Sequence, residues 1–203
     1  MLDVAEQLLD AEGADAVTMR RLAGRLGVTP MALYRHVGNK DELLLALIDR
    51  LANRLIYPTL PDDPRQRIIV LWRTLYDGLA ANTWLAEVLA RRRLMAPSVL
   101  GAVEEIHASL IRAGLTLPEA VRGYRQLWQF TLGALLVRAG AIAEGPSVQA
   151  ELRGAPDPEQ FPTLAAAAAQ WSAAHGRDTY GADLEALLDA LLAAAGGSVQ
   201  SRR

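Results

Sequence analysis

Apolar residues recur every three to four positions along nearly the whole chain, and the alternation of a half-buried strand is nowhere sustained. Val4, Ala5, Leu8, Leu9 and Ala11 predict a short first helix that stops at Gly13. Leu22, Ala23 and Leu26 predict a second, closed by Gly27 in the left-handed conformation that glycine adopts without steric cost. Thr29-Pro30 is a helix start, because threonine caps free amides and proline at the first helical position forfeits no hydrogen bond. This third helix closes near Val37-Gly38. Asn39 with Glu42 three residues on has the spacing of a capping box, and Leu44, Leu47, Ile48, Leu51 and Leu55 form one face of a fourth helix over 40–57.

Tyr57 to Pro64, with three prolines and two aspartates, interrupts the pattern and divides the chain into residues 1–48, with the fourth helix as link, and 58–203. Ile68, Leu71, Trp72, Leu75 and Leu79 resume the helical period, a short segment spans Trp84 to Arg93, and Pro97 opens a helix to about Ala113. Thr116-Leu117-Pro118-Glu119 starts a long helix over 118–143. Between Leu127 and Val137 it is apolar nearly all round, so it must be buried on more than one side. Gly145 to Pro162, with four prolines, is expected to be a long functional or mobile loop. Leu164–Ala174 and Asp183–Ala195 supply two last helices before a polar tail from Gly196. The expected fold is all-α.

Composition narrows the function. Of 203 residues, 51% are hydrophobic and 22% charged, which excludes a disordered chain. Cysteine is absent, which excludes disulfides, thiolate metal sites and cysteine nucleophiles, and suits a reducing compartment. No apolar run is long enough to span a bilayer, and Met1-Leu2-Asp3 opens directly into helical sequence with no secretory signal. The expectation is a cytoplasmic protein without a membrane partner.

The formal charge of −2 gives no sign of a polyanionic partner for the whole molecule, but its distribution does. Thr18 to Lys40 holds Arg20, Arg21, Arg25, Arg35 and Lys40 and no acid, with acids resuming on both sides. Within this window a helix, a glycine turn and a capped short helix follow one another, with Leu22, Ala23, Leu26, Val28, Leu33 and Val37 placed to lock two helices at a steep angle. That is a helix-turn-helix pattern, whose second helix enters the major groove of DNA. Thr29, Met31, Ala32 and Arg35 then fall on its exposed face. Arg35 alone among them could make a bidentate contact to guanine, and Thr29 and Ala32 could touch a thymine methyl. Tyr34, His36, Lys40, Thr18 and Arg20 suit phosphate contacts that fix register. The same helix-glycine-helix pattern also suits a plain helical bundle.

Residues 17–48 resemble the DNA-binding region of the TetR family of transcriptional regulators. The resemblance lies in Thr18-x-Arg20-x-Leu22-Ala23, Leu26-Gly27-Val28, Leu33-Tyr34-x-His36-Val37, Asn39-Lys40 and Leu43-Leu44. Gly114-Leu115-Thr116-Leu117, Phe130 to Leu135, Phe161-Pro162-Thr163-Leu164 and Gly181-x-x-Leu184-x-x-Leu187-Leu188 are similar to the tetracycline-repressor subclass. The resemblance implies a three-helix reader domain on a helical core, a homodimer, and a repressor released from palindromic operator DNA when a small molecule binds the core. Tetracycline-binding members chelate magnesium through a histidine before the seventh helix. The matching neighbourhood here, Leu85-Ala86-Glu87-Val88-Leu89, has none. No metal or cofactor is therefore expected, and the expected effector is apolar or aromatic.

Candidates for holding it are Trp72, Tyr76, Trp84, Arg92, His107, Tyr124, Trp128, Gln129 and Thr131, aromatics on inward stripes with a few polar groups among them; core packing would use the same aromatics. For a dimer, Leu132, Leu135, Leu184, Leu187, Leu188 and Leu191 offer apolar surface on the two long helices. Asp62-Asp63 and Arg91-Arg92-Arg93 read as solvated turns and faces. Two other classes stay open at this point. One is a small-molecule enzyme on a helical bundle, for which Glu104 and His107 have a metal-ligand spacing without the second copy such a site needs. The other is a helical interaction module that does not bind DNA.

Overall fold

The structure, a computed structural model, describes residues 1–92, 94–144, 157–167 and 179–200. Among them there is no strand. The helices are α1 (Leu2–Ala16), α2 (Met19–Leu26), α3 (Pro30–Tyr34), α4 (Lys40–Ala52), α5 (Pro64–Ala80), α6 (Thr83–Arg91), α7 (Leu100–Arg112), α8 (Leu117–Glu144) and α9 (Tyr180–Gln200). A 3₁₀ turn, Pro97–Val99, leads into α7, and residues 162–167 are also helical.

Local chemistry sets the boundaries. The helical path of α1 is broken at Gly13, whose φ of 75° no other residue type accepts readily. Thr18, Thr29 and Asp63 each accept a hydrogen bond from the amide three residues on, at 3.2, 3.3 and 2.8 Å, and so start α2, α3 and α5. Gly27, at φ 67°, closes α2. Asn39 accepts from the Glu42 amide at 2.9 Å, while the Glu42 carboxylate accepts from the Gly38 amide at 2.7 Å. This reciprocal cap fixes the start of α4.

Two apolar cores result. Leu8, Leu9, Leu22, Leu33, Leu43, Leu44 and Leu47 form the first, together with Trp84, Leu85 and Val88 of α6. The second joins α5, α7, α8 and α9 through Ile68, Trp72, Ile106, Leu110, Leu127, Leu184 and Leu188. Each fully buried side chain of this size contributes about 1.5–3 kcal/mol. Ion pairs also link α9 to α5: Arg65 to Asp189 at 2.6 Å and Arg73 to Glu185 at 3.0 Å. They are partly exposed, so water screens the attraction. Burial therefore holds α9, and the charges orient it.

Several expectations change. The fourth helix stops at Ala52, and the last runs on to Gln200 through the expected tail. The third is one and a half turns, leaving Arg35 just beyond it. Residues 145–156 of the expected loop and 168–174 of the penultimate helix lie outside the described residues. Leu184 and Leu188, expected on a dimer face, are completely buried within the single chain, and Leu135 nearly so. Leu132, Leu187 and Leu191 are half-buried. The physical reason is that α8 and α9 carry apolar residues on two faces, and periodicity does not say which face the chain keeps for itself. The exposed one on α8 carries Leu136 and Val137, the latter 74% exposed.

Candidate functional site

The reader surface is built on α2 and α3. Leu33 and Val37 are buried against α2, and this turns Met31, Tyr34, Arg35 and His36 outward, with Met31 73% exposed. Thr18, Arg20 and Thr29 are exposed and Ala32 is half-buried. The guanidiniums divide into two kinds. Arg21 pairs with Glu12, and Arg25 approaches the same carboxylate at 3.6 Å. Arg20 and Arg35 have no acidic partner among the described residues, so their charge is available to a phosphate or a base edge.

Lys40 departs from its expected role. Its ammonium donates to the Ala14 carbonyl at 2.7 Å and is partly buried. Burial pulls its pKa below the usual lysine value, and the positive charge of Arg92 adds to that. Lys40 thus ties α4 to α1 rather than projecting from the reader surface.

Behind the reader lies a cavity of about 330 Å³. Small-molecule sites run roughly 300–1,000 Å³, so a ligand of two or three rings fits. Its walls come from five helices: Ile48, Leu51, Ala52 and Leu55 from α4 and its end, Leu75, Gly78 and Leu79 from α5, Leu85 and Leu89 from α6, Val103 from α7, and Tyr124 and Trp128 from α8. Leu94, Met95, Ala96 and Val99 close one side, and Arg92 is the single charged side chain among the described residues that line it.

Of the nine candidates, the structure brings Arg92, Tyr124 and Trp128 to this cavity. His107 stacks behind Tyr124 with ring centroids 4.6 Å apart, its Nδ1 2.8 Å from the Val103 carbonyl, and Trp72 meets Tyr124 edge-on at 5.3 Å. Burial raises the Tyr124 hydroxyl pKa. Tyr76, Thr131 and Trp72 do not line the cavity and belong to the second core. Gln129 points outward. Trp84 sits in the first core, where its indole N–H donates to Asp10 at 3.0 Å. The lining missed from sequence is aliphatic, and nothing in a leucine or isoleucine at helical spacing distinguishes a cavity wall from a filled core.

Two polar ties join the cavity region to α4. Ser98, in the 3₁₀ turn, donates to the Asp49 carboxylate through its amide at 2.9 Å and its hydroxyl at 2.6 Å. These bonds hold the Asp49 pKa below the ordinary carboxylate value. At the other end, Arg92 pairs with Asp41 in the first turn of α4. Beside it, Arg91 reaches Asp15 at 2.9 Å. Both ion pairs lie in the open, where water screens them.

Comparison with known proteins matches the two parts of the chain to two known domains. Residues 1–47 match the model of the bacterial regulatory proteins of the tetR family, and residues 57–194 match the tetracyclin repressor-like C-terminal domain. The HTH-type transcriptional repressor DrrR1 of Streptomyces coeruleorubidus is 29% identical over 196 residues, covering 91% of this chain and 70% of that protein. The tetracycline repressor protein class A from transposon 1721 of Escherichia coli is 35% identical over 139 residues, 67% of this chain and 64% of its own. Among solved structures, Streptomyces coelicolor ActR in complex with actinorhodin superposes with a TM-score of 0.82 at 28% identity, covering 96% of both chains.

Proposed function

This chain belongs to the tetR family of bacterial regulatory proteins and is a ligand-responsive DNA-binding repressor rather than an enzyme, and we propose that its effector acts from the cavity behind the reader. The observation that carries this is the wall contributed by α4. Ile48, Leu51, Ala52 and Leu55 face the cavity, while the first turn of the same helix is tied to α1 through Lys40. A ligand that fills the cavity and favours a different position of α4 shifts the reader by that preference alone. That ActR binds actinorhodin within the same fold supports a small-molecule effector here.

The proposal includes a homodimer. Val137 and Leu136 on α8, with Ala182, Ala186 and Ala190 on α9, expose apolar and small side chains that close helix packing would cover. Two readers about a two-fold axis then meet half-sites one helical turn or a multiple apart, ~34–36 Å per turn. Within each reader Thr18, Arg20, Tyr34 and His36 fix register, and Thr29, Met31, Ala32 and Arg35 face the bases.

The test is a titration of duplexes from the DNA flanking the coding sequence. The expected result is saturation at one palindromic site, with affinity falling on a log–log salt plot by about 0.9 per phosphate contacted. A purified chain with no site preference above bulk DNA would overturn it.

A further inference from the structure

Arg92 faces two environments at once. On one side it lines the apolar cavity; on the other it lines a polar cleft with Asp15, Lys40, Asp41, Glu87 and Arg91. It stands directly after α6, its extended backbone (φ −127°, ψ 135°) leading the chain toward Leu94–Ala96, which also line the cavity. Its guanidinium is spoken for by Asp41, in the first turn of α4. Resting on the reading of the cavity as the effector site, we propose that the effector is an apolar anion, a carboxylate on an aromatic or aliphatic body, and that its charge takes Arg92 from Asp41.

The argument is a competition between two carboxylates. Asp41 meets Arg92 in an open place: its side chain is 53% exposed and that of Arg92 37%, so water screens the pair. A ligand carboxylate held in the cavity would meet the same guanidinium among leucines, where the local dielectric is lower and a two-point contact is stronger. Tyr124 and Trp128 supply the aromatic surface for the body of the ligand. Loss of the Asp41 pair frees the first turn of α4 from the end of α6, at the helix that also forms the cavity wall. Recognition of the anion and release of the reader are then one exchange of partners.

Matched acids and amides test this: 2-naphthoate against 2-naphthamide, and anthracene-2-carboxylate against its carboxamide, titrated into the full chain by calorimetry. At least one acid should bind tenfold or more tightly than its amide. Arg92→Gln should erase the preference, and Arg92→Lys, which keeps the charge, should retain part of it. Asp41→Asn should tighten the acid several-fold and leave the amide unchanged, an effect that a merely structural Asp41 would not produce. The proposal is overturned if no acid is preferred, if Arg92→Gln keeps the preference, or if Asp41→Asn leaves acid affinity unchanged. Amides that bind as well as acids and are lost in Gly78→Leu, which fills the cavity, would leave the cavity reading standing and remove only the anion. Probes that bind Gly78→Leu as well as the parent chain would remove both.

Discussion

The indole N–H of Trp72 donates to the Thr131 hydroxyl oxygen at 2.7 Å, and the Tyr180 hydroxyl lies 2.8 Å from that same oxygen. One buried hydroxyl thereby joins α5, α8 and α9, and the Tyr180 ring stacks on Tyr76 with centroids 3.6 Å apart. Trp72 and Tyr76 thus hold the core together next to the cavity instead of lining it.

Replacing Thr131 with valine keeps the shape and removes, in a dry site, the oxygen that the Trp72 N–H and the Tyr180 hydroxyl share. The cost should be about 1–3 kcal/mol. With an m-value of roughly 2–3 kcal/mol/M, the urea midpoint should fall by about 1 M at fixed protein concentration. Thr131→Ser should restore most of it, and equal midpoints for the two variants would show that the hydroxyl is not the tie.

Burial pushes the Tyr180 pKa up to about 12 from its usual 10. The folded state therefore holds the phenol proton more tightly than the unfolded chain does. Its contribution is complete below pH 10 and is lost as pH rises from 10 through 12. Urea midpoints between pH 9 and 11.5 should decline for the parent chain and decline less for Tyr180→Phe. Parallel declines would assign the effect to other groups, Tyr124 and Tyr57 among them, whose pKa values burial also raises.

A Cβ added at Gly78 would lie 2.4 Å from the Leu55 side chain, and both residues line the cavity. Gly78→Leu should occupy the space that a ligand needs. Effector-driven release from the operator should be lost, with basal operator affinity measured alongside it because the added side chain also presses on Leu55 at the end of α4. An induction curve superposable on that of the parent would move the effector site elsewhere.

Val137→Asp places a charge on the exposed apolar face of α8. Sedimentation should report monomers, and operator affinity should fall by at least a hundredfold as the two-site geometry is lost. The buried Leu188→Asp would unfold the chain before it tested any interface. A dimeric Val137→Asp would place the interface off this face.

Arg20→Ala and Arg35→Ala separate backbone contact from base reading. Arg20→Ala should weaken all duplexes alike and flatten the salt slope by about one phosphate. Arg35→Ala should cost about 1–3 kcal/mol at one position of each half-site and relax preference there. If it weakens all sequences equally instead, Arg35 is a phosphate contact.

Much of the fold was legible because its punctuation is local. Gly27, Thr29-Pro30 and Asn39 act within three or four residues of themselves, and their caps formed where the residue types demanded. Burial of Leu22, Ala23 and Leu33 followed from spacing alone. What failed were choices between partners distant in sequence. Trp84 looked like a cavity aromatic until Asp10, 74 residues away, supplied an acceptor for its N–H. Lys40 looked like a surface cation until the end of α1 offered a carbonyl. Leu184 and Leu188 have the same spacing whether they meet their own chain or a second copy. Arg92 is a candidate by its position, but its pairing with Asp41 depends on the approach of α6 to α4, which no local pattern encodes.

The lodging of Trp84, Leu85 and Val88 among the first four helices has a consequence for engineering. A cut at residue 48 would remove part of the interior that those helices fold around, so the reader is not a detachable cassette. A chimaera meant to give this effector core a new DNA specificity would have to re-tailor the inward stripe of α6 to the incoming helices, or exchange only the outward residues of α2 and α3.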